Sequence, residues 1–143
     1  MKTQFFTFLL FLTLIFSSSF SEDQAGLTVL VSGIQEGKGV INVALYDSPD
    51  TFTDKPLKTA KAVLKRGQKE AEVTFTGLKA GEYAVAVYHD INQNDELDTN
   101  FLGIPQEPYG FSNNYRPTVS KPSFMKAAFR MNAEKHTEKV VVE

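Results

Sequence analysis

Glu70-Ala71-Glu72-Val73-Thr74-Phe75-Thr76-Gly77-Leu78-Lys79-Ala80-Gly81-Glu82-Tyr83-Ala84-Val85-Ala86-Val87-Tyr88 carries two strand signals and a break between them. Its first half alternates cleanly. Ala71, Val73 and Phe75 oppose Glu70, Glu72 and Thr74, which is the period-two pattern of a strand with one dry face. Its second half sets Tyr83, Val85 and Val87 on one side and Ala84, Ala86 and Tyr88 on the other. Both sides are apolar, so this strand is expected to be central and covered on both faces. Gly77 to Glu82 makes a tight return between the two.

The same signals recur along the chain. Gly26 to Ile34 alternates, with Leu27, Val29 and Val31 in phase. Gln35-Glu36-Gly37-Lys38-Gly39 reads as a turn, and Val40 to Tyr46 follows with Ile41, Val43 and Leu45 in phase. The pair is expected to form an antiparallel hairpin. Asp47 to Pro56 is a loop. Thr59 to Lys65 is a short basic strand suited to a sheet edge, protected by its lysines or used for pairing. Phe124 to Met131 reads as a strand or a turn followed by a strand, and His136 to Val142 as a closing Val-rich strand. About seven short strands with no convincing helix predict an all-β antiparallel sandwich; a small closed barrel uses similar strands.

The chain has 143 residues, enough for one ordinary domain. Residues 1–21 carry the marks of an export signal. Met1-Lys2-Thr3-Gln4 is a short basic start, Phe5 to Phe16 is apolar, and Ser19-Phe20-Ser21 fits a small-x-small cleavage site. The apolar run is shorter than the roughly 20 residues of a spanning helix. The expectation is a cleaved signal peptide and a single domain over 22–143. Removing Lys2 from the 15 basic residues leaves 14 against 17 acidic ones, a net charge of -3. That mild acidity argues against nucleic acid and against an anionic membrane surface, and no membrane insertion is expected after cleavage. The chain contains no cysteine. Disulfides, thiolate metal sites, a Cys nucleophile and a lipoprotein anchor are all excluded. The product is expected in the periplasm or outside the cell, stabilised by its core and by any metal it holds.

Residues 90–123 show little periodicity and form one long loop, which in a compact domain is either functional or disordered. Its aromatic residues point to order. Asp90, Asn92, Asn94 and Asp98 fall at relative positions 1, 3, 5 and 9 of a calcium loop of the EF-hand type, and Glu96 at position 7 offers its carbonyl. Calcium takes six to eight oxygens, and a curling backbone presents alternate residues to one point. Two positions depart from that pattern. Asp95 stands where the sharp turn takes Gly, and Phe101 where a bidentate Glu closes the shell. The competing reading is an Asx-rich turn without metal.

Farther along, Tyr109, Phe111, Tyr115 and Arg116 are interleaved with Asn and Gly. Such a stretch suits a glycan or peptide surface, with stacking rings and Arg gripping a carboxylate. Alternatively Phe101, Tyr109 and Phe111 tuck under the loop and leave Tyr115 and Arg116 exposed. His89 beside Asp90 invites a catalytic reading, but neighbours in a strand point to opposite faces. Zinc lacks a third ligand.

Several strings resemble one family of exported bacterial proteins. They are Val43-Ala44-Leu45-Tyr46-Asp47-Ser48, Gly81 to Asp90, Asn100-Phe101-Leu102-Gly103-Ile104-Pro105, Tyr109-Gly110-Phe111-Ser112-Asn113-Asn114, and Pro122-Ser123-Phe124 followed by Ala127-Ala128-Phe129. The family is domain of unknown function 2141. The resemblance implies an Ig-like or transthyretin-like sandwich with no assigned activity; members usually carry Gly where this chain has Asp95. Two functions are then expected as alternatives. One is a non-enzymatic binding or structural module with a calcium-stabilised loop, acting on an envelope protein or glycan. The other is a carrier or enzyme for a small or glycan ligand, built on His89, Tyr109, Phe111, Tyr115 and Arg116.

Overall fold

The computed structural model describes residues 25–118, 120–132 and 134–143. The expected export signal, 1–21, lies outside them. Eight strands form: β1 (Ala25–Ser32), β2 (Val40–Tyr46), β3 (Lys58–Val63), β4 (Ala71–Leu78), β5 (Gly81–Asp90), β6 (Tyr109–Phe111), β7 (Phe129–Met131) and β8 (His136–Val141). A 3₁₀ turn (Ser112–Asn114) follows β6, and one helical turn, α1 (Phe124–Ala127), precedes β7.

The strands make two sheets, ordered β4-β1-β8 and β3-β2-β5-β6, with β7 paired to the first three residues of β5. The pairings are antiparallel except that of β1 with β8, which is parallel. Two all-β layers enclose one core, as expected. In β1, Leu27, Val29 and Val31 are fully buried while Thr28, Leu30 and Ser32 are half-buried. Ile41, Val43 and Leu45 of β2 and Val85 and Val87 of β5 face them. Each such side chain contributes on the order of 1.5–3 kcal/mol by leaving water.

The expected β1–β2 hairpin does not form. β1 pairs with β4 and β8, and β2 with β3 and β5, so the turn after β1 crosses from one sheet to the other. The physical reason is a degeneracy of the pattern. Strands that face each other across a core bury the same alternate residues as strands side by side. The return between β4 and β5 crosses in the same way.

β5 is covered on both faces, as its two apolar sides predict. Beyond the main core, Ala84 packs with Tyr46, Phe52, Phe111, Phe124 and Ala127 on the outer face of the larger sheet. Phe52 meets Tyr46 edge-on at 5.2 Å and Phe124 edge-on at 5.7 Å, a favoured arrangement of ring quadrupoles. Buried Ser112 ties this cover down. Its hydroxyl accepts the Val85 N–H at 2.8 Å and donates to the Ala127 carbonyl at 2.6 Å.

One side of the sandwich is stitched together. Tyr109 and Glu143 exchange two backbone hydrogen bonds at 3.3 and 3.2 Å, joining β6 to the end of β8. A Cβ at Gly110 would lie 2.2 Å from the Val141 carbonyl oxygen, so only glycine allows this approach. Across the opposite side, Lys58 donates its ammonium to the Thr76 carbonyl at 2.7 Å. The architecture is a sandwich and not a closed barrel. β3 is an edge strand, and Val63 on it is exposed.

Candidate functional site

The end of β5 delivers Asp90, fully buried, to the start of the long loop. One carboxylate oxygen accepts the Asn94 N–H at 3.1 Å and the other the Asp95 N–H at 2.9 Å. The backbone therefore curls around this side chain. Gln93 and Asp95 take left-handed conformations to allow it, with φ of 61 and 64. Asp95 thus makes the turn expected of glycine at that position, at the strain cost of a side chain there.

Asn92 and Asn94 continue the curl. Asn92 Oδ1 accepts the Asn94 N–H at 3.2 Å, and Asn94 Oδ1 accepts the Glu96 N–H at 3.0 Å. Their amide nitrogens both reach Asp98, at 2.7 and 2.9 Å. Four of the five expected oxygen donors therefore belong to one network. The side chain of Glu96 stands outside it, exposed.

A residue that the spacing did not reveal completes the loop. Glu107 is buried, and its two oxygens accept the N–H of Ile91 at 2.9 Å and of Asp98 at 3.2 Å. It stands far beyond position 12 in sequence yet clamps both ends of the loop. Its flanking prolines, Pro105 and Pro108, were the only available hint that the chain returns here.

Oxygen chemistry at the loop suits a hard cation in kind: Asp90, Asn92, Asn94 and Asp98 converge, and all are oxygen donors. The network is also satisfied by hydrogen bonds alone. Among the described residues, no three His, Asp or Glu side chains come together as a metal-binding group. A cation here would face Asn amides turned to present oxygen to it, which is a soft rotation.

Between the curl and Glu107 the chain forms a small finger. Gln106 donates to the Asp98 carbonyl at 2.8 Å and Asn100 to that of Ile104 at 2.9 Å, with Thr99 bridged to Pro105. Gly103 closes the tip by donating to the Asn100 carbonyl at 2.9 Å, with φ of +77. Asn100 Oδ1 also accepts the N–H of Leu102 and of Ile104. The turn places Phe101 and Leu102 at its two central positions, where side chains project outward. Phe101 is 95% exposed, Leu102 68% and Ile104 53%. The expectation that Phe101 tucks under the loop is therefore corrected: its place at the centre of the turn directs it into solvent.

Beside the finger lies a groove of about 630 Å³, with Leu97, Leu102, Ile104, Tyr109 and Lys121 among the residues lining it. Phe111 is buried and Tyr109 half-buried, as expected of rings under the loop. Tyr115 and Arg116 are not the exposed pair that the sequence suggested. Tyr115 is half-buried against Phe111, with the Lys126 ammonium 5.6 Å from its ring centre. Arg116 donates to the Tyr109 carbonyl at 2.6 Å and the Val141 carbonyl at 2.7 Å, and pairs with Glu143 at 2.9 Å. Its fork bridges β6 and β8, so three of its five N–H donors are already committed to structural contacts.

His89 is fully buried and shares the inward phase of Val85 and Val87. Its Nε2 lies 2.7 Å from the Lys38 carbonyl, and its Nδ1 has no partner. Asp90 points to the other face, as strand geometry requires. The sheet therefore separates His89 from Phe111 and Tyr115, and these five residues do not form one site.

Among the described residues, no helix is long and apolar enough to cross a membrane. Residues 29–139 match the model of a family described as "Uncharacterized protein conserved in bacteria (DUF2141)". No curated protein and no solved structure matches the chain. The match spans most of the sequence, and the chain belongs to this family.

Proposed function

We propose that this member of the family is an exported, non-enzymatic β-sandwich that docks onto a protein of the bacterial envelope through its finger. The observation that carries the reading is the exposure of Phe101, Leu102 and Ile104 on a tip whose backbone is pinned by hydrogen bonds at Asn100, Leu102, Gly103 and Ile104. Large apolar side chains held out on a rigid turn lose little entropy on binding and gain their whole burial. The tip is convex, which suits insertion into a protein pocket better than stacking of a sugar. Glu96 and Asp98 flank it, so the partner's pocket should carry a basic rim. The same acidity disfavours an anionic lipid surface.

Calcium has a supporting role in this reading. Bound by Asp90, Asn92, Asn94 and Asp98, with the Glu96 carbonyl, it would stiffen the base from which the finger projects. The His89 Nε2 is held on the Lys38 carbonyl, and among the described residues no side chain hydrogen-bonds to its ring, which weighs against an enzyme.

A photo-crosslinking residue at position 101, expressed in the host bacterium, tests the docking. One discrete adduct with an envelope protein is expected. It should disappear in Leu102→Ser and be absent when the crosslinker stands at Val63 on the β3 edge. Equal, diffuse labelling from both positions, or none from 101, would sink the idea.

A further inference from the structure

On the outer face of the larger sheet, the ladder sets Asn42 of β2 between Tyr88 of β5 and Lys61 of β3. The next row is Ala44 beside Thr59. The small side chain of Ala44 leaves a hollow of about 210 Å³, walled by Asn42, Thr59, Lys61, Tyr88 and Asp95. Asn42 is only 7% exposed, and its amide nitrogen has no acceptor. A buried donor without a partner costs roughly 1–3 kcal/mol. Asn42 lines the hollow, so an oxygen seated there and met by a rotated amide would relieve that cost.

From this geometry we infer that the hollow is a binding site for a neutral polyhydroxylated ligand of single-sugar size.

The donor set selects that class. Asn42 and Thr59 offer both donors and acceptors, Tyr88 a ring wall and a phenol, and Lys61 and Asp95 a pair already neutralised at 2.6 Å. Sugar hydroxyls both donate and accept, and so match a mixed set with no net charge. An anion would meet Asp95 beside the lysine. The Asn42 nitrogen is covered in the free protein. A ligand oxygen reaches it through rotation of the terminal amide, a soft torsion. The hollow is too small for a drug-sized ligand and ample for one sugar ring. It shares Asp95 with the curl at the base of the finger but none of the apolar residues of the tip, so failure of either proposal leaves the other standing.

Titration of the ¹⁵N-labelled protein with methyl glucoside, methyl galactoside or N-acetylglucosamine, each to about 20 mM, tests the site in the millimolar range. Saturable shifts of the Asn42 side-chain amide and of the Thr59 and Lys61 backbone signals are expected with at least one sugar. Ala44→Phe, which fills the hollow, and Thr59→Val, which alters only an exposed edge residue, should each weaken binding at least tenfold. Three results would overturn the inference: no saturable shift with any sugar, a larger response to acetate or phosphate, or sugar shifts that persist unchanged in Ala44→Phe.

Discussion

The carboxylate of Glu107 accepts the backbone N–H of Ile91 at 2.9 Å, sixteen residues earlier in the chain. Its second oxygen takes the Asp98 N–H at 3.2 Å. One buried side chain thus fixes the first and last turns of the Asp90 curl, and the finger grows from the segment between Asp98 and Glu107. The rigidity of an exposed tip is traced to a carboxylate hidden beneath it.

Replacing Glu107 by Ala should therefore leave two N–H groups without acceptors. A loss of about 2–6 kcal/mol is expected, at roughly 1–3 kcal/mol for each buried N–H left unsatisfied. Glu107→Gln should recover only part, because its amide nitrogen faces a donor. Urea midpoints give the cost. Amide exchange should accelerate at 91 and 98–106 and remain slow in β1 and β2; uniform acceleration throughout the domain would contradict a local clamp.

Arg116 is expected to matter through its carbonyl bonds and not through its ion pair. The partner Glu143 is 68% exposed, and exposed pairs contribute about 0–1 kcal/mol. Glu143→Gln should therefore be nearly silent in a thermal melt. Arg116→Lys loses the fork that spans Tyr109 and Val141, and should cost about 1–3 kcal/mol despite keeping the charge. Equal effects of the two substitutions would show that the charge pair carries the stitch.

The alternation at Glu70–Tyr88 and Leu27–Val31 was legible because burial on one face enforces period two. Sheet membership was not, since facing and neighbouring strands bury the same phase. The phase of β1 and β2 therefore reads as one hairpin, yet the two strands lie in opposite sheets. The Asp90 curl is readable from spacing alone because its bonds are local, within six residues. Glu107 was not, because its bonds span nine and sixteen residues and a lone glutamate has no periodic signature. The exposure of Phe101 was hidden for a related reason. Composition predicts burial for a phenylalanine, and only the turn geometry at Asn100–Gly103 turns it outward.

The two kinds of phenylalanine in this loop should respond oppositely to truncation. Phe101→Ser removes a side chain that touches little, and stability should stay within about 0.5 kcal/mol. Phe111→Ala opens a cavity among Phe52, Tyr109 and Tyr115, and should cost roughly 3–5 kcal/mol. Guanidinium melts of the two variants, compared directly, test the assignment. A large loss in Phe101→Ser would mean that the tip packs back onto the domain.

Alkaline pH should weaken the fold through its tyrosines. Burial raises the Tyr46 phenol, aided by Asp54, and burial with the loop carboxylates raises that of Tyr88. Both are held above the ordinary value of 10.0. Between the unfolded and folded values the native state binds more protons, so stability falls as pH rises. Full stability is expected below pH 10 and a decline above it. Urea midpoints measured from about pH 9 to 11 should fall less steeply in Tyr88→Phe, which cannot ionise. An identical slope in wild type and variant would remove Tyr88 from the account.

Calcium should act on the curl without being required for it. Every oxygen of Asp90 and Asp98 already has an N–H partner, so the protein should melt cooperatively in chelator. At ten times its dissociation constant, calcium would add about 1.4 kcal/mol, or a few degrees of melting temperature for a domain of this size. Magnesium should not substitute, because it demands a tighter octahedral shell. Asp98→Asn separates the two contributions. It keeps an acceptor for one asparagine amide and so should lower the chelator melt only modestly, while abolishing the calcium increment. A wild-type melting temperature that is the same with millimolar calcium and with chelator would assign the four side chains to a hydrogen-bonded Asx curl alone. The finger would then depend on Glu107 and Asp90 without a metal.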